Sequence, residues 1–586
     1  MSWRQRLAQH RPRSAADALP LLALAVLAVS LGVGAVRALQ AGWLPVGDEA
    51  LIEMRVRDVP GHLPLLGVYS RFGWSHPGPA QLWALAVPYR LLGSASAGLL
   101  AGALVGHLVV VSVSWWIARR IDRLAGAAVL LALELVLLGV PADLVRSAWN
   151  PYVALLMSGA FVIVAWAVTE RHAAPTVLLL PLGTLLVQGH VGNAALVGMV
   201  VVATAALTWW GHGTPHRRPA WSGGAVVDGS TERPVPWRAV AWGIGLAALM
   251  WVPAVVEQLS GDGNVSAILR DLSRDEPRVG AGAAIGLGSR FFGPWPAWTD
   301  QGSLLLQIAE TGRVVPVWLV VPVAAAFVAW RRGDRTMLRG LALAATGVAS
   351  TVVAAAAIKG VFFSYLVVGH RSIVAVCLAI SVVALARALD GPARRAVELG
   401  LGVVAVAAAV AIGVVQWSAQ NPAPEFDGAV RAATAAVRGE AGDRAVFVTS
   451  SGDDPSRDVA SGLLLQLERA GVPATTVRDE DWRMGAHRTS DGAGDRVQVK
   501  VVPTGQEQVL LDEGYRLLLE YQPLDAADAA EVDRLVAERD ALIREGEAAG
   551  PDDPGAAARF ATVQELAERI DQLRGDRVST VVGVKG

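Results

Sequence analysis

Apolar residues in this chain gather into long unbroken runs, not into the one-sided stripes of soluble helices or the alternation of half-buried strands. Such runs occupy 19–40, 96–118, 123–140, 151–169, 175–187, 194–210, 238–256, 314–330, 338–357, 370–387 and 397–417. A helix rises about 1.5 Å per residue, so a hydrocarbon core about 30 Å thick needs roughly 20 apolar residues. The pattern predicts an α-helical polytopic membrane protein with about eleven spans. The run 175–187 is short and also fits a half-helix. The stretch 77–92 carries Pro77, Pro79, Pro88 and Arg90, which predicts a helix lying against the bilayer rather than a crossing.

From about residue 418 the pattern changes. Ala445–Ser450 predicts a buried strand, Leu463–Ala470 a helix, Val497–Val502 a strand and 526–548 a polar amphipathic helix. The tail therefore reads as a small α/β domain. It holds no recognisable phosphate loop or catalytic cluster, and its expected role is a structural or acceptor-recruiting cap. No repeat of 20–50 residues is visible.

Charge orients the spans. With 77–92 not crossing, five basic groups fall on one side: Arg119–Arg123, Glu170–His172, His216–Arg218 with Arg233 and Arg238, Arg331–Arg339, and Arg387–Arg395. The N-terminus, with Arg4, Arg6, Arg11 and Arg13, joins them. The positive-inside rule makes that side cytoplasmic. Counting 77–92 as a span would place Arg119–Arg123 outside, so the eleven-span reading is preferred. The expected organisation is a membrane domain over 1–418, with extracytoplasmic loops 41–95 and 257–313, and a soluble extracytoplasmic domain over 419–586. The expected location is the plasma (inner) membrane.

Composition narrows the function. The 586 residues are 53% hydrophobic and 18% charged, below the roughly 25% charged residues of soluble domains. A net charge of −1 gives no reason to expect nucleic acid as a partner. The single cysteine, Cys377, excludes disulfides and cysteine-based zinc sites within the chain.

Candidate chemistry concentrates between Gly47 and Pro79, beyond the first span. Asp48 and Glu49 open an amphipathic helix, Ala50–Val59, where a carboxylate also serves as an ordinary N-cap. Glu53, Arg55, Arg57, Asp58, His62, Tyr69, Arg71, Trp74 and His76 follow at proline-punctuated spacing. Arginine grips phosphate bidentately, a carboxylate takes a proton, and aromatic faces stack on sugar, so the segment suits an anionic lipid headgroup. On the same side in this topology lie Asp143, Arg146, Asn150, His190, Asn193, Glu257, Gln258, Asn264, Lys359, His370 and Arg371. Helix ends also gather polar residues as interface anchors, so it is their convergence on one face that carries weight. Asn264-Val265-Ser266 matches a glycan acceptor pattern, given little weight because the composition reads as prokaryotic. Glu134 interrupts an apolar run, where an ionised acid costs about 2.5–3.5 kcal/mol. A hydrogen bond to a neighbouring helix is the expected answer.

A first span, an external loop opening on an acidic pair, a helix, and then RFGWSHPGPAQLWALAVPYRLLG with the basic Arg119–Arg123 loop resemble the GT-C superfamily of integral membrane glycosyltransferases. These include polyprenyl-phosphate-sugar mannosyltransferases and the aminoarabinose and arabinofuranose transferases. The resemblance spans roughly residues 20–420 in topology and about 45–125 in motif. It implies a GT-C-like fold, a polyprenyl-phosphate sugar donor, and a glycan, glycolipid or protein acceptor. It carries the family's catalytic acid to Asp48, with Glu49 beside it. The departing phosphate would then be met by Arg55, Arg71, His76, His370, Arg371 or a divalent cation such as Mg or Mn. Tyr69, Trp74, Arg146, Asn150, His190, Asn193, Glu257, Gln258 and Asn264 are the expected substrate contacts. A transporter of lipid-linked sugars and a non-catalytic scaffold are the rival classes. The lack of two similar halves weighs against the transporter.

Overall fold

The computed structural model describes residues 15–209, 234–295, 309–452, 454–524, 526–549, 556–574 and 578–585. The basic N-terminus (Arg4, Arg6, Arg11, Arg13) and the cluster of His216, Arg218 and Arg233 lie outside them. Two compact units form: Met1–Ala41 with Asp58–Asn421, and Gly42–Arg57 with Pro422–Gly586. The second unit thus joins Gly42–Arg57, from the start of the loop 41–95, to Pro422–Gly586.

The first unit starts with α1 (Ala15–Gln40), and α2 (Gly47–Arg57) belongs to the second unit. A hairpin of β1 (Tyr69–Ser70) and β2 (Trp74–Ser75) leads to α3 (Ala80–Leu91), α4 (Ala97–Ile121), α5 (Arg123–Leu138) and the short α6 (Ala142–Arg146). Helices α7 (Asn150–Thr169), α8 (Ala173–Gly189), α9 (Ala194–Trp209), α10 (Trp237–Ser260), α11 (Asn264–Ser273) and α12 (Gly280–Arg290) follow. The bundle ends with α13 (Val320–Arg332), α14 (Arg335–Ala357), α15 (His370–Ala386) and α16 (Gly391–Ser418).

Every apolar run named above contains a helix, although residues 314–319 of the run 314–330 precede it. Among the described residues, eight helices are long and apolar enough to cross a bilayer. The runs at α5, α8 and α13 give helices of 16, 17 and 13 residues. Helix α3, at 12 residues, is too short to cross, as its prolines and Arg90 predicted. The chain is a polytopic helical membrane protein.

Local chemistry sets the corners. Asp122 alone separates α4 from α5: its extended backbone ends one helix, and its carboxylate accepts the Leu124 N–H at 2.8 Å to cap the next. Arg394 at 3.2 Å and Arg387 at 3.7 Å hold that carboxylate, tying this corner to the one between α15 and α16. Helices α1 and α16 pack through small residues. A Cβ at Gly34, Gly402 or Gly413 would come within 2.8, 2.7 and 2.7 Å of Gln416, Leu19 and Ser30, so the seam closes only because those side chains are absent. Arg146, 1% exposed, locks the end of α16 through Gln416 Oε1 (2.9 Å), Ala419 O (2.9 Å), Asn421 Oδ1 (3.1 Å) and Gln416 O.

Glu134 is fully buried in α5, and neither carboxylate oxygen has a hydrogen-bond partner among the described residues. The expected helix-to-helix bond is not formed. An unsatisfied buried polar group costs about 1–3 kcal/mol. Glu134→Met, which keeps much of the volume and removes both oxygens, is therefore expected to raise the thermal midpoint of the detergent-purified protein. A lowered midpoint would mean that the carboxyl is held by a group outside the described residues.

The second unit is an α/β domain. Its elements are α2, then α17 (Asp427–Ala441), β3 (Ala445–Ser450), α18 (Asp454–Arg469), β4 (Ala474–Val477), α19 (Asp481–Met484), β5 (Thr489–Ser490) and β6 (Arg496–Val502). After these come α20 (Glu507–Asp512), β7 (Arg516–Tyr521), α21 (Ala526–Ala549), α22 (Ala556–Arg574) and β8 (Thr580–Lys585). The sheet order is β5-β4-β3-β6-β8-β7. Neighbours from β5 to β6 run parallel, while β8 is antiparallel to β6 and β7. The apolar side of α18 (Val459, Leu463, Leu464, Leu467) is buried, and α18 also packs on α2. The expected strands β3 and β6 are present, as are helices over the predicted 463–470 and 526–548 segments.

Candidate functional site

In the membrane unit the site is built from the β1–β2 hairpin outward. Gly73, with φ +79°, makes the turn after Arg71 and Phe72. The hairpin base is closed by the His76 N–H to Val68 O and the Gly67 N–H to His76 O, both at 2.9 Å. Asn264 then acts as a substitute strand: its Oδ1 accepts the Ser75 N–H and its Nδ2 donates to Ser75 O, both at 2.8 Å. The Glu257 carboxylate accepts the Asn264 N–H at 3.0 Å, and Gln258 accepts the Ser266 N–H at 3.1 Å. These two side chains cap the first turn of α11, where free N–H groups and the helix dipole favour acceptors. Tyr69 is half-buried in β1, and Trp74 is buried in β2 with no partner for its indole N–H among the described residues.

This hairpin sets His76 against His190, ring centroids 4.6 Å apart. His76 Nδ1 accepts the Val191 N–H and His190 Nδ1 accepts the Gly192 N–H, each at 3.2 Å. A ring that accepts at Nδ1 carries its proton on Nε2 when neutral. Burial, then the neighbouring His190, holds His76 well below the usual imidazole range. Burial, then the charge of Arg71, lowers His190 to about 4. Both rings are therefore neutral at pH 7 and act as hydrogen-bonding groups, not as cations.

His190 also lines a pocket with Asn193, Tyr365 and His370. Ser158, Ser350 and Thr351 add hydroxyls, while Pro151, Ala154, Leu196, Ala354 and Ile373 supply an apolar wall. Tyr365 lies between Trp149 (4.6 Å) and Phe363 (5.7 Å), and His370 stacks on Phe291 at 4.2 Å. Asn193 Nδ2 donates to Leu186 O at 3.1 Å. His370 Nδ1 contacts Val367 O at 2.5 Å.

The positive charge acting here is Arg71. Its NH2 donates to Val361 O (2.7 Å) and Lys359 O (3.3 Å), and its guanidinium lies over Phe363 at 5.3 Å. Among the described residues no carboxylate pairs with it. Lys359 differs: buried, it donates to Asp271 O and sits 3.7 Å from Glu276. Arg371 is buried and donates to Gly139 O at 3.1 Å, and Asn150 donates to Gly189 O at 2.9 Å.

The remaining candidates lie in the other unit. Asp48 and Glu49 occupy the first turn of α2 and are half-buried. Arg55 packs at Gly485, where a Cβ would come 2.5 Å from its NH1. Glu53, 0% exposed, pairs with Arg469 at 2.5 Å.

Of the residues expected from sequence, His190, Asn193 and His370 meet at one pocket, with His76 beside it and Arg71 near it. Arg146, Asn150, Glu257 and Asn264 instead hold backbone of the fold with their side chains. Ser158, Ser350 and Thr351 also line the pocket, and in sequence they look like the ordinary small residues of apolar spans.

The histidine pair gives a pH prediction. His190 titrates at about 4 in the folded chain and at about 6.5 when unfolded. The unfolded state therefore binds more protons in that window. Stability from the neutral pair is complete above pH 6.5 and is lost as pH falls toward 4. Thermal midpoints should drop from pH 7 to 4.5, and His76→Gln with His190→Gln should flatten that dependence.

No protein-family model matches the sequence, and no curated protein matches it. Among solved structures, the crystal structure of ArnT from Cupriavidus metallidurans bound to undecaprenyl phosphate is similar to this chain. The two are 14% identical, with a TM-score of 0.49 over 84% of this chain and 95% of that chain.

Proposed function

We infer that the protein is a membrane glycosyltransferase that moves a sugar from a polyprenyl-phosphate donor to an extracytoplasmic acceptor. One observation carries this reading: Arg71, which pairs with no carboxylate among the described residues, lies over Phe363, whose ring stacks on Tyr365 of a pocket lined by polar, aromatic and apolar side chains. A lipid-linked sugar phosphate combines the same kinds of chemistry, and the cavity of about 30 Å³ would have to widen to admit it. Arg71 meets phosphate charge, the neutral imidazoles and Asn193 suit sugar hydroxyls, and the aromatic rings suit sugar faces. Asp48 is the proposed base, on the grounds of its place in the first external loop.

The reaction balances as a single displacement. An acceptor hydroxyl oxygen bonds to the anomeric carbon, Asp48 takes its proton, and the carbon–oxygen bond to the phosphate breaks with its electron pair. The lipid phosphate leaves as the anion, with inversion at the anomeric carbon. Mg or Mn could share the task of meeting its charge, and adding chelator to the assay measures how far it does. The proposed setting is the plasma (inner) membrane, with the N-terminus cytoplasmic and the tail outside.

Reconstituted protein given radiolabelled polyprenyl-phosphate mannose or arabinofuranose, with glycan, glycolipid and protein acceptors, tests the proposal. Label on an acceptor is the expected result. Label moved across the bilayer on intact donor identifies a transporter, and neither outcome leaves a scaffold.

A further inference from the structure

The helix that carries Asp48 is integral to the tail's fold. On α2, residues 49, 53 and 57 share one face, because successive side chains turn by about 100°. Glu53 is fully buried and pairs with Arg469 at 2.5 Å. One turn on, Arg57 Nε donates to Glu468 Oε1 at 2.9 Å. The same Glu468 carboxylate takes Arg488 Nε at 2.6 Å, and Arg488 NH2 reaches back to Met54 O on α2 at 3.1 Å. At the helix start, the Gly47 N–H donates to Ser461 Oγ at 2.8 Å. Gly462 admits the approach, since a Cβ there would lie 3.0 Å from Val46 and 3.1 Å from Pro45 O.

These contacts grip α2 by a neutral hydrogen bond at its start and by paired charges at Glu53 and Arg57. Two ion pairs on neighbouring turns fix a helix about its own axis as well as along it. Asp48 lies about 100° around the helix from Glu49, on the face it shares with Ile52 and Arg55. Its direction is therefore set by how α2 is rotated. A surface helix needing only burial would be served by Leu51, Met54 and Val56. Burying Glu53 with an arginine adds orientation at a desolvation cost.

We propose that the tail's Arg469, Glu468 and Arg488 are positioning residues, which clamp Glu53 and Arg57 and so aim Asp48 at the acceptor hydroxyl. The tail is then a part of catalysis instead of a passive cap. This rests on Asp48 being the base.

The test uses the full chain in membranes. Arg469→Met and Glu468→Gln should lower kcat by tenfold or more with the KM for donor unchanged, because small misplacement of a reacting group costs rate out of proportion to binding. Arg469→Lys should recover most of the rate. In an Asp48→Asn background the same substitutions should have little further effect, since they act through Asp48. Unchanged kcat in Arg469→Met, failure of lysine to rescue, or losses that add fully to Asp48→Asn would each overturn the clamp. The two readings separate cleanly. A fully active Asp48→Asn protein removes the base, whereas a slowed one with normal clamp variants removes only the positioning.

Discussion

Asp48→Asn is expected to slow sugar transfer by about 10²–10⁴-fold, to a small but measurable rate, while the protein still accumulates in the membrane at the normal level. Asparagine keeps the shape of the side chain and cannot accept the acceptor's proton at neutral pH. A positioned general base contributes about 10²–10⁴-fold, so the loss should reach that range in kcat. The buried residues of α2, including Leu51, Ile52, Glu53 and Met54, are untouched by the change, so folding should survive. Glu49→Gln is the internal comparison. It sits one residue away in the same first turn, and a smaller loss there would locate the base at 48 and not in the acidic pair as a whole. The measurement is turnover with a radiolabelled polyprenyl-phosphate sugar at saturating donor. Near-normal turnover would falsify the assignment.

Arg71→Gln should cost about 10²–10³-fold in kcat/KM, the range for removing one group that stabilises developing charge. His76 and His190 are held neutral by burial, and Lys359 is engaged by Glu276 and Asp271. Among the described residues, Arg71 is thus a cation beside this pocket that no carboxylate neutralises. Arg71→Lys should restore part of the activity, since lysine returns the charge without the planar fork. The rate and the donor KM should both worsen in the glutamine variant, because phosphate carries charge before and during departure. Full activity in Arg71→Gln would move the phosphate to another part of the molecule.

The membrane bundle is legible in the sequence because lipid imposes a length and a polarity on each span, and both are local properties. The short helix Ala80–Leu91 was legible for the same reason: three prolines and Arg90 are incompatible with a crossing. The strand at Ala445–Ser450 also announced itself by composition. What could not be read is pairing at long range. Nothing in GDEALIEMRVR shows that its buried glutamate meets an arginine more than 400 positions later. Likewise Asn264 looks like a solvent-facing acceptor until its amide is seen bonded both ways to Ser75. Candidate residues chosen for their chemistry split accordingly. His190 and His370 remain on a pocket, whereas Arg146 spends its donors on the end of the last span.

The assembly order of the second unit has a consequence for biosynthesis. Its first piece, Gly42–Arg57, emerges from the ribosome long before its second, Pro422–Gly586, and residues 58–421 lie between. At about 5–20 residues per second, translation leaves the early helix waiting for tens of seconds with its apolar face uncovered. A nascent chain that stops short of the tail lacks Ser461, Glu468, Arg469 and Arg488, so none of the contacts that hold the early helix can form until those residues are made.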